Sequence, residues 1–180
     1  MQIILLIALS SAFILHFYSP VLWVPNSYLF TEYGDGFTQY FNILYYIQHN
    51  PGYFDFVGSN YPYSEHYIYT DGQPFFAAVL KTIYPLIPSI GHYSIGIFNS
   101  LCLFSLWITP FLLFGILHRL RVRPWVAVLG AISISFMQPQ VFRMLSHFSL
   151  SYSCAIPLSL YLCLRLTDAK KPVKYLVLLF

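Results

Sequence analysis

Residues 3–24 read IILLIALSSAFILHFYSPVLWV, twenty-two positions without a formal charge. At 1.5 Å per helical residue, such a run covers the roughly 30 Å hydrocarbon core of a bilayer. Three more runs of this kind follow, at about 95–117, 125–142 and 148–164, and a fifth opens at Val173. The whole chain of 180 residues is 58% hydrophobic and only 8% charged. A soluble domain carries about 25% charged residues, so this composition excludes a soluble enzyme, a disordered tail and a nucleic-acid binder, which needs a basic face. It predicts an all-α integral membrane protein whose partner is the lipid bilayer.

The charges orient the spans. Five of the six acids (Glu32, Asp35, Asp55, Glu65, Asp71) fall between 32 and 71. Seven of the nine bases fall in 119–123 (RLRVR) and 165–174. Lys and Arg collect in cytoplasmic loops. A cytoplasmic N-terminus therefore puts 26–94 outside, 119–123 inside, 138–147 outside and 165–172 inside, a multi-pass arrangement in the cell membrane, read as a bacterial cytoplasmic membrane. Residues 1–25 lack a basic n-region and have too long an apolar stretch for a cleaved signal peptide. Because the fifth run opens so near position 180, residues 1–180 are expected to form a single transmembrane domain that is the N-terminal part of a larger multi-span protein or the product of a truncated gene. Cys102, Cys154 and Cys163 lie in predicted spans and read as small buried hydrophobes rather than disulfide partners.

The loop 26–94 is too long for a mere connector, and it holds 12 of the 16 tyrosines. Phe37, Tyr40, Phe41, Leu44, Tyr45 and Gln48 recur at helical spacing, which predicts an amphipathic helix ending near Asn50-Pro51-Gly52. A second helix is predicted from Pro74, with Phe75, Phe76, Val79, Leu80, Ile83 and Ile87 as its apolar face and Pro at its start. Helices of this kind can lie in the membrane interface, apolar face down.

Three stretches carry a family resemblance: YGDGFTQY at 33–40, just after the first span; NYPYSEHYIYTDGQP at 60–74; and RMLSH at 143–147, followed by a span containing Pro157. Together with the topology, they make the chain resemble the N-terminal half of the GT-C superfamily of membrane glycosyltransferases. The resemblance implies a long first extracytoplasmic loop carrying two interfacial helices, and a catalytic Asp just after the first span. It also implies transfer of a sugar from a polyprenyl-phosphate donor to a glycan, lipid or polymer acceptor.

Such a transfer needs a base for the acceptor hydroxyl and cationic groups for the departing phosphate. Asp35, flanked by glycines at the start of a helix, is the candidate base, although Asp there is also an ordinary N-cap. Asp71, at the start of the second helix, reads as a cap, a second active-site carboxylate or a metal ligand. Glu65 and His66 lie between them, and with both aspartates they offer ligands to a divalent cation such as Mg or Mn, without a compact ligand spacing. Arg143 and His147, four apart, are candidates for the donor phosphate, against an Arg that merely snorkels to headgroups. Lys81 is a further candidate for headgroup or donor-phosphate contact. Tyr61, Tyr63 and Tyr67 are candidates for stacking on sugar.

Two other classes compete. A transporter or flippase segment is suggested by Pro110, Pro139 and Pro157, which interrupt three of the runs. A non-catalytic membrane protein that keeps only the fold is the other alternative.

Overall fold

A computed structural model describes residues 1–144 and 146–167. The expected fifth span from 173 lies outside the described residues. The described chain is mostly helical: α1 Gln2–Trp23, α2 Gly34–Gln48, α3 Pro74–Ile83, α4 Ser89–Arg119, α5 Pro124–Met137, α6 Pro139–Arg143 and α7 Ala155–Thr167. Two short strands, β1 Asp55–Phe56 and β2 Glu65–His66, and two 3-10 turns, Tyr67–Thr70 and Phe148–Leu150, complete it.

Among the described residues, four segments are each long and apolar enough to cross a bilayer: Gln2–Trp23, Ser89–Arg119, Pro124–Arg143 and Phe148–Thr167. This is the signature of a helical membrane protein. α4 has 31 residues, about 46 Å at 1.5 Å each, more than the hydrocarbon core needs. Of the three prolines taken as interruptions, only Pro139 separates two helices. Gln138 before it is extended (φ −72°, ψ 149°), as a residue preceding proline tends to be. α4 runs through Pro110 as one helix. Pro157 sits in the first turn of α7, where a backbone N–H has no intrahelical acceptor to lose. In α1 the departure from helical geometry is at Tyr18 (φ −125°, ψ 17°), two residues before Pro20.

The described chain divides into two compact units. The first comprises 1–19, 102–141 and the described residues from 152 onward. Its core is Leu6, Val128 and Ala131, with Phe111, Phe114 and Leu117 packed around them. Small residues allow close approach here: a Cβ on Gly130 would meet Leu117 Cδ1 at 3.3 Å. Trp107 Nε1 donates to Ser11 Oγ at 3.1 Å, and the Cys154 amide donates to Ser105 Oγ at 3.1 Å.

The second unit comprises 20–101 and 142–151. It is built around Tyr46, Phe56, Tyr67 and Ala77, which join α2, the hairpin, the 3-10 turn and α3. The strands pair antiparallel, Asp55 opposite His66 and Phe56 opposite Glu65. Asn50 holds the turn after α2: its Nδ2 donates to the carbonyls of Gly52 and Asp55, both at 2.8 Å, and its Oδ1 accepts from Val57 N–H at 3.0 Å.

The expected apolar stripes of α2 and α3 divide between the core and the outside. In α2 the buried side chains are Gln39, Tyr40, Asn42, Ile43, Tyr46 and Ile47, whereas Phe37 and Phe41 stay exposed. α2 is aromatic on more than one side, and the inward side is the one whose amides can satisfy loop backbone: Asn42 Nδ2 donates to the Thr70 carbonyl at 2.7 Å. In α3 the inward side is Ala77, Leu80 and Lys81, and Phe75 and Val79 face out. Ala77 lets α3 approach the aromatic core closely, which Phe75 could not.

Candidate functional site

The second unit brings α2, the Thr70–Gln73 turn and the 142–151 segment together. α2 starts at Gly34, whose φ of 69° favours glycine. Its N-cap is Tyr33, which supplies no side-chain cap, and Asp35 sits in the first turn. Asp35 is therefore not a cap. Its carboxylate is favoured there by the positive end of the helix dipole. Asp35 Oδ2 lies 3.9 Å from His147 Nε2, with the Asp side chain 74% exposed. That distance allows an ion pair when the imidazole is protonated, and a substrate oxygen could reach both groups only from the side, not in line between them.

Asp71 does not cap α3 either. That helix begins after Gln73 without a side-chain cap, and Asp71 occupies the left-handed region (φ 55°) at the end of the 3-10 turn. Its Oδ2 accepts from Gln39 Nε2 at 2.5 Å, and its Oδ1 accepts from Ser149 Oγ. Ser149 Oγ also meets Gln73 Nε2 at 3.0 Å. Gln39 reaches further, donating to the Ser146 carbonyl at 3.2 Å and accepting from Phe148 N–H at 3.1 Å. Phe148 is fully buried against Tyr40 and Phe98. Asp71 is thus engaged on both oxygens, and Asp35 is the open carboxylate of the two.

A family model described as a domain of unknown function, DUF6311, matches residues 6–180. The chain belongs to this family. Neither a curated protein nor a solved structure matches it.

In this DUF6311 chain the remaining candidates are placed as follows. Arg143 ends α6, exposed, and its carbonyl accepts the His147 amide at 2.8 Å, so one turn of backbone joins the two. Its guanidinium has no partner among the described residues. Tyr61 and Tyr63 are 93% and 88% exposed, beyond the hairpin strands. Tyr67 is a core residue, not a sugar platform: its ring stacks on Tyr46 at 3.6 Å. Glu65 is held locally by Ser59 Oγ and by Asn60 Nδ2 at 3.2 Å. His66 Nδ1 accepts from Ile68 N–H at 3.3 Å. Asp35, Asp71, Glu65 and His66 do not assemble a ligand set, and among the described residues no three His, Cys, Asp or Glu side chains gather as one. Asp35 lies on α2, Glu65 and His66 share β2, and Asp71 ends the 3-10 turn, so they answer to three different sets of neighbours.

Lys81, expected at the lipid headgroups or a phosphate, is only 9% exposed. Its Nζ donates to the carbonyl of Tyr46 at 3.0 Å and to that of Asn50, and lies 4.8 Å from the centre of the Tyr46 ring. It thus closes the C-terminal end of α2, where orphan carbonyls and the helix dipole favour a cation. Burial lowers its pKa from the ordinary lysine value. Lys81→Met keeps much of the stem but leaves these carbonyls without their donor, so a loss of about 1–3 kcal/mol is expected, read as a lower thermal midpoint in detergent. An unchanged midpoint would return Lys81 to the phosphate candidates.

A cleft of about 520 Å³ lies between the hairpin and α3, lined by Tyr46, Tyr53, Phe54, Tyr67 and Phe75 among others. The hydroxyls of Tyr46 and Tyr67 are already donated to the carbonyls of Tyr53 and Gly72, so these rings offer apolar surface rather than recognition of a sugar's hydroxyls.

Gln39, Ser149 and Gln73 escaped the sequence reading. The available signal was a glutamine one helical turn after Asp35, within a helix otherwise crowded with aromatic and aliphatic residues.

Proposed function

We propose that this chain is a membrane glycosyltransferase of the GT-C type. It moves a sugar from a polyprenyl-phosphate donor to a glycan, lipid or polymer acceptor on the extracytoplasmic face of the cytoplasmic membrane. The observation that carries the reading is Asp35: an open carboxylate in the first turn of the helix that follows the first span, with an imidazole 3.9 Å away.

In this scheme Asp35 accepts the proton of the acceptor hydroxyl as its oxygen bonds to the anomeric carbon. The bond from that carbon to the phosphate oxygen breaks, and the electron pair leaves with the polyprenyl phosphate. Direct displacement inverts the anomeric centre. Arg143 and His147 hold the departing phosphate, the first through its fork of donors. The outward apolar faces of α2 and α3, Phe37 with Phe41 and Phe75 with Val79, meet the lipid at the interface. Tyr61 and Tyr63 lie at the wet edge, where tyrosine is favoured.

The test is transfer in membranes that contain the inserted protein, with labelled polyprenyl-phosphate hexoses and pentoses as donors. Labelled product dependent on the protein supports the reading, and no product from any donor overturns it. Sidedness is tested separately with Glu65→Cys. A membrane-impermeant thiol reagent is expected to label it in intact cells, and labelling only after the bilayer is breached would reverse the topology.

A further inference from the structure

We propose that Gln39 is the positioning residue of this site, the side chain that sets His147 beside Asp35. Its amide is almost completely buried, 2% exposed, one helical turn after Asp35 and hence on the same side of α2. Its Nε2 donates to the carbonyl of Ser146 and its Oε1 accepts from the amide of Phe148. One side chain therefore clamps the backbone on both sides of His147. The second Nε2 proton goes to Asp71 Oδ2, and Asp71 Oδ1 takes the hydroxyl of Ser149, which anchors the next residue as well. Residues 146 and 148 are held from α2 and residue 149 from Asp71, which Gln39 also binds, and His147 lies among them, its imidazole facing Asp35.

The chemistry explains why the residue is glutamine. The clamp needs two donors and one acceptor at the end of a three-carbon reach, and a primary amide supplies both. Glutamate would face Asp71 with a second carboxylate and lose both donors. Asparagine is one methylene short. Leucine would leave the Asp71 carboxylate, the Ser146 carbonyl and the Phe148 amide without their shared partner, each a costly loss where it is buried.

The catalytic consequence rests on Asp35 acting as the base, whereas the positioning itself does not. Two readouts on the full-length protein in nanodiscs keep them apart. The first is amide hydrogen exchange, which needs no substrate. Gln39→Leu is expected to raise exchange at 146–149 by about tenfold, the equivalent of one lost hydrogen bond, with exchange at 43–47 and 77–81 unchanged. Should Gln39→Leu fail to fold, Gln39→Asn carries the same expectation with less disturbance. Gln39→Glu is expected to loosen the segment too. Combining it with Asp71→Asn reverses donor and acceptor in the contact with residue 71, though not at the Ser146 carbonyl, so protection at Phe148 should return to within about threefold of wild type while Ser146 stays loosened. A purely space-filling Gln39 would show no such rescue.

The second readout is transfer, where kcat should fall and donor KM should rise while acceptor KM changes little, because His147 holds the donor phosphate. Unchanged exchange at 146–149 in Gln39→Leu, or a double variant no better than Gln39→Glu, overturns the positioning role. Full transfer in Asp35→Asn overturns the transferase mechanism and leaves the exchange result standing.

Discussion

Asp35→Asn is expected to lower sugar transfer by about 10²–10⁴-fold, the usual contribution of a positioned general base, while expression and insertion stay at wild-type levels. The substitution is nearly isosteric and falls on a side chain 74% exposed, so it creates no cavity and buries no polar group. What folding loses is small. A carboxylate in a first helical turn is worth about 0.3–1 kcal/mol, and an exposed pair with His147 adds about 0–1 kcal/mol. A large drop in turnover with an intact thermal midpoint therefore separates chemistry from stability. His147→Gln should cost less than Asp35→Asn and should weaken donor more than acceptor, as measured by titrating each substrate. Full turnover in Asp35→Asn would remove Asp35 as the base and leave the exposed carboxylate without a catalytic assignment.

The spans were legible because a bilayer imposes one simple condition: about twenty residues without charge. Run length alone meets it, and the helices Gln2–Trp23 and Ser89–Arg119 extend through the first two runs. The inward faces of α2 and α3 were not legible. Periodicity identifies a helix and its apolar stripe, but α2 carries aromatic or aliphatic residues nearly all round. Which side turns inward depends on partners far along the chain, such as Thr70 for Asn42 and Phe148 for Gln39. The burial of Lys81 was not legible for a related reason. A lone base on an apolar helix reads as a headgroup contact, and only the folded geometry places orphan carbonyls of α2 within its reach. The two aspartates stand beside glycines near the expected helix starts, as caps do in sequence, yet both helices begin without a side-chain cap.

The second large effect concerns stability of the unit that carries the site. Tyr67→Ala is expected to cost about 3–5 kcal/mol, the range for removing a buried aromatic ring. Tyr67 lies flat on Tyr46 with ring centres 3.6 Å apart, tilts against Phe56 at 5.4 Å, and donates its hydroxyl to the Gly72 carbonyl at 2.6 Å. It thereby joins the hairpin to α2 and holds the turn that presents Asp71. The approach is close: a Cβ on Gly72 would come within 2.5 Å of the Tyr67 hydroxyl oxygen, so Gly72→Ala should disturb the same bond. Tyr67→Phe keeps the ring and leaves the Gly72 carbonyl without its donor, for about 1–3 kcal/mol. The ordering Ala, then Phe, then wild type separates stacking from hydrogen bonding, and chemical denaturation in mild detergent measures it. The pH dependence follows from the same burial. Desolvation, reinforced by Tyr46, raises the Tyr67 phenol above the ordinary tyrosine value of 10. The unfolded chain then ionises first, so the stabilisation is complete below pH 10 and is lost as pH rises beyond it. Tyr67→Phe should flatten part of that alkaline loss, leaving the share due to Tyr46, whose phenol is raised in the same direction. If Tyr67→Ala unfolded within about 1 kcal/mol of wild type, a typical surface-scale change, the stacked pair would not be the keystone of this unit, and the hold on Asp71 would have to come from Gln39 and Ser149.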